Sequence, residues 1–443
     1  MATTTATGRG SGAWVKIAFA MFAVGWGANQ FSPMLIVYRH ELGLGANVVA
    51  GLFLVYALTL IPGLLVGGPA SDRFGRRPVV WPFVALSPLA TLLLVLGARS
   101  LVMIAMGRAL AGLCSGVVFG AATAWVREVS PDDGMSARRS ALALTAGFGL
   151  GPVVAAALAQ WAGDPLVVPY LPHLVIGGAA AVALGRMPAD TTARPGAGRL
   201  RAGSPEAGRP GAGRPRAGRR RWPPVAVRNR QFWLTVAPTS PMVFGSVSLA
   251  IVVLPEEVTS ARALSAGFAG LMTALSFSAG VAVQPFARRL RGVLTGNIAG
   301  LACAAAGAAI GIAAVAASDR VLAGAAAVFL GLAYGLCLVA GLRQAEQIAN
   351  PDERGAVIAC YYALAYLGFG MPYLVDGLAA LVGQTGAFVA LTAIIAGLAL
   401  WTAGYAARLR RSVRGPEGDT FVRWPPGERD SVSRKGNTPV RSG

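Results

Sequence analysis

Apolar stretches near 20 residues recur along almost the whole chain, separated by short polar breaks. At about 1.5 Å of rise per residue, a helix of that length crosses a hydrocarbon layer of roughly 30 Å. The pattern predicts twelve membrane helices, at 14–38, 46–68, 78–98, 101–125, 138–161, 167–185, 231–254, 264–286, 293–316, 321–342, 355–380 and 385–407. Glycine and proline within them are tolerated, because neighbouring helices re-satisfy the freed backbone groups. No small-residue cleavage signal follows the first stretch, so it reads as an uncleaved helix.

Two segments break the pattern. Residues 186–230 repeat Arg, Pro, Gly and Ala, with twelve arginines against Asp190 and Glu206, a local net of +10 within a whole-chain net of +20. That composition builds no core. It reads as a cytoplasmic linker resting on anionic lipid, with no nucleic acid expected as partner. The expected organisation is a tail at 1–13, a six-helix bundle at 14–185, the linker at 186–230, a second six-helix bundle at 231–407 and a basic tail at 408–443.

Composition agrees with lipid. Hydrophobic residues make up 55 % and charged residues 13 %, against roughly a quarter charged in a globular domain. A cytoplasmic N-terminus leaves only Arg39, Arg99, Arg262 and Arg320 in outer loops, whereas Arg73, Arg76, Arg77 and Arg288, Arg289, Arg291 fall in short inner ones. Positive residues favour the cytoplasmic side, so both termini are expected inside, in a multi-pass protein of the cell membrane. Cys114, Cys303, Cys337 and Cys360 stand alone, and neither His40 nor His173 belongs to a metal-ligand pattern. No GxxxxGK[ST], HExxH or GxSxG spacing occurs, which points away from ATP hydrolysis and enzyme chemistry and implies no cofactor or metal.

The halves repeat. GPASDRFGRR at 68–77 aligns with GVAVQPFARR at 280–289, and GLCSG at 112–116 with GLAYG at 331–335. Pro131 and Asp132 align with Pro351 and Asp352; Gly147, Phe148, Gly149 with Gly368, Phe369, Gly370; Pro152 with Pro372. Matches in chain order at equivalent span ends are the mark of a duplicated six-helix unit, with a substrate path between the copies.

These residues resemble the major facilitator superfamily over essentially the whole chain. Gly68, Asp72, Arg73, Gly75, Arg76 and Arg77 are similar to its GxLxDRxGRR signature between helices 2 and 3, with Ala70 in place of Leu. Arg108 and Gly112 resemble the helix 4 motif RxxQGxGAA, with Ala111 and Cys114 departing from it. Gly147, Gly151 and Pro152 resemble GxxxGPxxGG of proton-coupled exporters, with Ala155 and Ala156 in place of the last glycines. The resemblance implies an all-α fold of twelve transmembrane helices in two bundles, working as a monomer. It leans to the branch that exchanges drugs or metabolites for protons.

Several side chains stand out as candidates for the transport site. Arg108 is costly inside a span unless it faces a wet cavity or a partner, so it reads as functional, by anion binding or proton coupling, or else as snorkelling to the outer interface. Asp376, an acid inside span 11 near its outer end, and His173, which titrates in the physiological range when solvated, are candidates for proton coupling, the alternatives being a solvated carboxylate at the helix end and a histidine bonded to backbone at a helix entry. Asn29, Gln30 and Ser32 before Pro33, and Thr239 and Ser240 between Pro238 and Pro241, are candidate substrate contacts beside broken backbone in spans 1 and 7. Trp26, Tyr38, Tyr334 and Phe244 are candidate apolar walls or interfacial anchors. Gly147, Gly151 and Pro152 form a hinge or a tight interhelical seal. The spans lining the cavity by resemblance, 1, 4, 7 and 10, are poor in charge apart from Arg108, which favours a small apolar or amphipathic substrate.

The expected function is secondary transport, with export driven by inward proton flow. Import of a nutrient or metabolite, by symport or uniport, is the alternative, and a membrane sensor that does not transport a remote one. Asp72 is expected to clasp span 11, and with it Arg127, while the inside is shut, because a carboxylate gains from the positive end of that helix. Asp72→Asn should insert at normal yield and lose most transport in vesicle uptake; normal turnover would leave the motif a role in topology alone.

Overall fold

The computed structural model describes residues 12–130, 133–187, 225–258, 265–290, 292–350 and 353–413. The expected N-terminal tail to residue 11, the linker from 188 to 224, Arg262, Arg291, the paired Pro131, Asp132 and Pro351, Asp352, and the tail beyond 413 lie outside these residues. The chain divides into a unit of Met1–Ala403 and one of Gly404–Gly443, whose described part is the helical end of the last element. The first unit holds both six-helix halves apart from the last turns of the final helix.

Its regular structure, among the described residues, is helical. Span 1 is split into α1 (Ala13–Asn29) and α2 (Met34–Leu42). Spans 2 to 6 are α3 (Ala46–Phe74), α4 (Arg76–Leu96), α5 (Leu101–Val129), α6 (Asp133–Trp161) and α7 (Leu171–Gly185). A short α8 (Val225–Arg228) precedes span 7, which runs through π-helical turns at Phe232–Val236 and Leu249–Val253, with α9 (Met242–Ser248) between them and α10 (Leu254–Val258) at the end. Spans 8 to 10 are α11 (Ser265–Arg289), α12 (Val293–Ala317) and α13 (Arg320–Ile348). Span 11 begins as α14 (Arg354–Tyr366), passes a 3-10 turn at Leu367–Gly370 and continues into α15 (Met371–Val413).

Nine helical stretches among the described residues are long and apolar enough to cross a membrane. The difference from twelve has three causes. Spans 1 and 7 are interrupted at Pro33 and at Pro238 and Pro241, where proline lacks the N–H that would continue the helix. Spans 11 and 12 are not parted by a loop at 381–384 as expected but meet directly at Gly383, whose non-helical φ of 75° turns the chain from one helix into the next, the second ending at Val413 rather than 407.

The repeat is visible in the packing. α3 and α4 lie against α5 as α11 and α12 lie against α13. Between the halves, α6 meets α11 and α3 meets α14 with the 3-10 turn, so spans 5 and 8 form one seam and spans 11 and 2 its counterpart under the duplication. Each half also turns on a glycine that begins its third helix, Gly75 at φ 96° and Gly292 at φ 93°, a region that side chains with a Cβ rarely enter.

Helices in lipid gain little from hydrophobicity against one another and associate through close packing. The aligned glycines supply it. A Cβ at Gly112 or Gly116 would strike the carbonyls of Tyr56 and Leu60, and one at Gly331 or Gly335 those of Ser276 and Gly280. Overpacking of this kind costs about 1–3 kcal/mol. Gly116→Ala and Gly331→Ala should therefore lower the thermal unfolding midpoint in detergent, whereas Gly178→Ala, which enters open space, should not.

Candidate functional site

The site starts from the break in span 1. Past Trp26 the chain tightens, Ser32 N donating to Asn29 O at 3.0 Å and Met34 N to Phe31 O at 3.0 Å. Arg108, from α5, fills the place where the helix stops. Its Nη1 donates to Ala28 O at 3.2 Å and its Nε to Leu52 O of α3 at 3.3 Å. The guanidinium lies 4.2 Å from the Phe31 ring centre, 4.5 Å from Tyr56 and 6.0 Å from Phe53, and is 0 % exposed. A cation at a helix C-terminus meets the negative end of the dipole, and desolvated ring faces add about 2 kcal/mol. Snorkelling to an interface is overturned by that burial.

The rings around Arg108 begin a chain of aromatics. Phe53 and Tyr56 touch Phe369, at 4.8 and 6.4 Å between centres. Phe369 stacks on Phe244 at 5.0 Å, which stacks on Tyr366 at 4.4 Å and reaches Tyr334 at 6.0 Å. Tyr334 meets Phe277 at 5.7 Å, Phe277 meets Phe148 at 6.2 Å, and Phe148 meets Phe119 at 5.4 Å. The chain crosses between the halves twice, at Phe369 with Phe53 and at Phe148 with Phe277. Phe148 and Phe369 are the central residues of the aligned GFG triplets. The sequence repeat had marked both positions, but a phenylalanine in an oily run carries no sign of function, and neither was expected at the site.

The other expected contacts sort by what holds them. Asn29 Nδ2 donates to Phe148 O at 3.3 Å. Gln30 Nε2 donates to Thr91 Oγ1 at 3.1 Å, and Thr91 lies 2.7 Å from His173 Nδ1, with Ser87 at 3.5 Å from Nε2. His173 thus belongs to a buried chain linking spans 1, 3 and 6. Gln30 Oε1 and Ser32 Oγ are buried without partners. In span 7 the hydroxyls turn back on their own helix, Thr239 to Thr235 O at 2.9 Å and Ser240 to Val236 O at 2.6 Å. Beside them Asn297 donates to Gln344 at 2.8 Å and Gln344 to Thr235, a network that long sequence separation had hidden.

Tyr334 and Phe244 stand in the ring chain, and Tyr38 packs on Phe31 at 5.5 Å with its hydroxyl 2.9 Å from that of Tyr170. Trp26 lies in the seam between α1 and α6, where a Cβ at Gly151 would come within 2.8 Å of its carbonyl and one at Gly147 would strike Phe22 O. α6 runs through Pro152 without a break, and its glycines pack against α1.

Polar contacts differ between the two ends of the bundle. At the end bearing the α3–α4 turn, Arg76 bonds Asp72 at 2.8 Å, Glu128 at 2.7 Å and Ser71, and Arg77 bonds Gly185 O at 2.6 Å. Arg73 lies over the neighbouring Phe74 ring at 5.2 Å, and a Cβ at Gly68 would meet open space. These contacts stay within the first half. At the opposite end Arg39 pairs with Glu256, Tyr373 Oη donates to Asn47 O at 2.8 Å and Gly267 N to Gln160 Oε1 at 3.3 Å, all between halves. Asp376 is there, within the electrostatic reach of Arg39 and Glu257. Burial pushes the Glu257 carboxyl above its ordinary range, the charge of Asp376 adds to this and Arg39 opposes it. Arg108, His173 and Asp376 therefore occupy three separate settings.

The model of the Major Facilitator Superfamily matches residues 17–370. The chain belongs to this superfamily. Two solved structures share its fold: a nucleoside transporter, 10 % identical with a TM-score of 0.66, covering 88 % of this chain and 98 % of its own, and a D-xylose-proton symporter, 12 % identical with a TM-score of 0.64, covering 88 % and 96 %. No curated relative matches the chain. This major facilitator is a membrane transporter rather than an enzyme, and its polar bridges hold one end of the two halves together. Arg39→Gln or Glu256→Gln should raise labelling of a Val49→Cys reporter, 3 % exposed in this conformation, by a membrane-impermeant maleimide several-fold.

Proposed function

We propose that the protein moves a small apolar or amphipathic compound across the membrane by alternating access, binding it among the aromatic side chains that both halves contribute. The double crossing of rings between the halves carries this reading. A ligand taken there replaces ring-to-ring contacts that must part when the halves rock.

The basic end is the cytoplasmic one, by the bias of short arginine-bearing loops. The present conformation is then closed to the outside, with Asp72 and Arg76 paired in their own half. On closure of the inside Asp72 exchanges Arg76 for the start of span 11, the clasp expected from the signature motif. The lean to export rests on the resemblance of Gly147, Gly151 and Pro152 to the exporter motif, and the seal these glycines make against α1 fits it. Protons are the coupling ion in this reading. In this reading Asp376, beside Glu257 and Arg39 at the outer end, takes a proton from outside, and each proton moving down 100 mV supplies about 2.3 kcal/mol. His173, bonded to Thr91 in a buried chain, serves the packing of spans 1, 3 and 6. The protein works as a monomer in the cell membrane, its basic linker on anionic lipid.

Compounds selected by ligand-induced thermal shift provide the test. Inside-out vesicles carrying the protein should accumulate such a compound when a proton gradient, acid inside, is imposed, and collapse of the gradient should stop it. Uptake confined to right-side-out vesicles would establish import instead. Asp376→Asn should uncouple accumulation from the gradient.

A further inference from the structure

The unmatched charge in the site is that of Arg108. A guanidinium has five N–H donors. Nε and Nη1 donate to Leu52 O and Ala28 O, while Nη2 is buried and has no partner. The salt bridges found among the described residues belong to Arg39 and Arg76. The hydroxyls of Tyr38 and Tyr170 bond to each other. Ring faces and carbonyls ease the burial of a cation but leave its charge in place, and such a charge is costly in hydrocarbon unless it is paired.

We infer that the ligand brings the missing counter-charge: a small monoanion, a carboxylate on an apolar or aromatic body, whose acid group meets Arg108 Nη2 while the body lies against Phe53, Tyr56 and Phe369. This rests on the reading of the ring cluster as the substrate site. One guanidinium matches one negative charge, and a second would be buried unpaired. The planar fork suits a planar carboxylate. Ser32 Oγ, unpartnered one residue beyond Phe31, supplies a further donor in the break of span 1. A cationic ligand would set like charges together, and a neutral one could accept from Nη2 but would leave the charge uncompensated.

The test uses the full chain in lipid nanodiscs, with benzoate and 2-naphthoate, their amides, and 2-naphthylmethylammonium, read by thermal shift and tryptophan fluorescence. The acids should bind at least about tenfold more tightly than the amides, the ammonium most weakly. Arg108→Gln should abolish the preference for acid over amide, read as the ratio of the two affinities, and Arg108→Lys should restore part of it. Should Arg108→Gln fail to fold, the wild-type order of acid, amide and ammonium decides by itself. Acid and amide binding equally, both weakened by Phe369→Ala, would overturn the anion and keep the aromatic site. Failure of every probe to bind would overturn both.

Discussion

Within lipid a peptide group has no water to turn to, so each break in a spanning helix must be repaired from within the protein. This chain breaks its helices at equivalent places in its two halves, before Pro33 in span 1 and around Pro238 and Pro241 in span 7, and repairs them by different chemistry. In the first half an arginine from α5 takes a carbonyl at the end of α1. In the second, Thr239 and Ser240 return their hydroxyls to the carbonyls one turn back. The duplicated architecture is shared; the charge is not. Position 327, the counterpart of Arg108, is Ala327.

The repair depends on how closely the helices approach. Arg108 can reach Leu52 O because Gly112 and Gly116 bring α5 onto the backbone of α3. Side chains there would push the helices apart and lengthen those bonds. The same spacing at Gly331 and Gly335 seats α13 on α11, where Arg343 Nη1 donates to Arg288 O at 3.1 Å near the ends of the two helices and Ala327 stands at the counterpart of Arg108. Close packing is common to both copies of the repeat, and the cation buried at position 108 belongs to one of them.

Much of the fold was legible in the sequence because apolar run length and arginine position are local properties. The count of crossings survives even where the helices do not run continuously, since proline marks the interruptions. The duplication was legible too, and the GFG triplets already pointed to Phe148 and Phe369. The direction of individual side chains was not. Thr239 and Ser240 look like cavity residues on a linear chain, and only their rotamers reveal that they bond backward. His173 and Thr91 stand 82 positions apart, and the carbonyl that holds Arg108 is 80 positions away in another helix. No spacing rule spans such distances.

The connections between helices differ in length. Between spans 6 and 7 the sequence places the long Arg/Pro/Gly-rich segment 186–230. Between spans 11 and 12 there is one residue, Gly383, and hence two torsion angles. A shift at the turn of Leu367–Gly370, where Phe369 meets the first half, must pass along α15 into span 12 rather than be absorbed in a loop. The last two crossings are thus joined as one lever with a stiff elbow at Gly383.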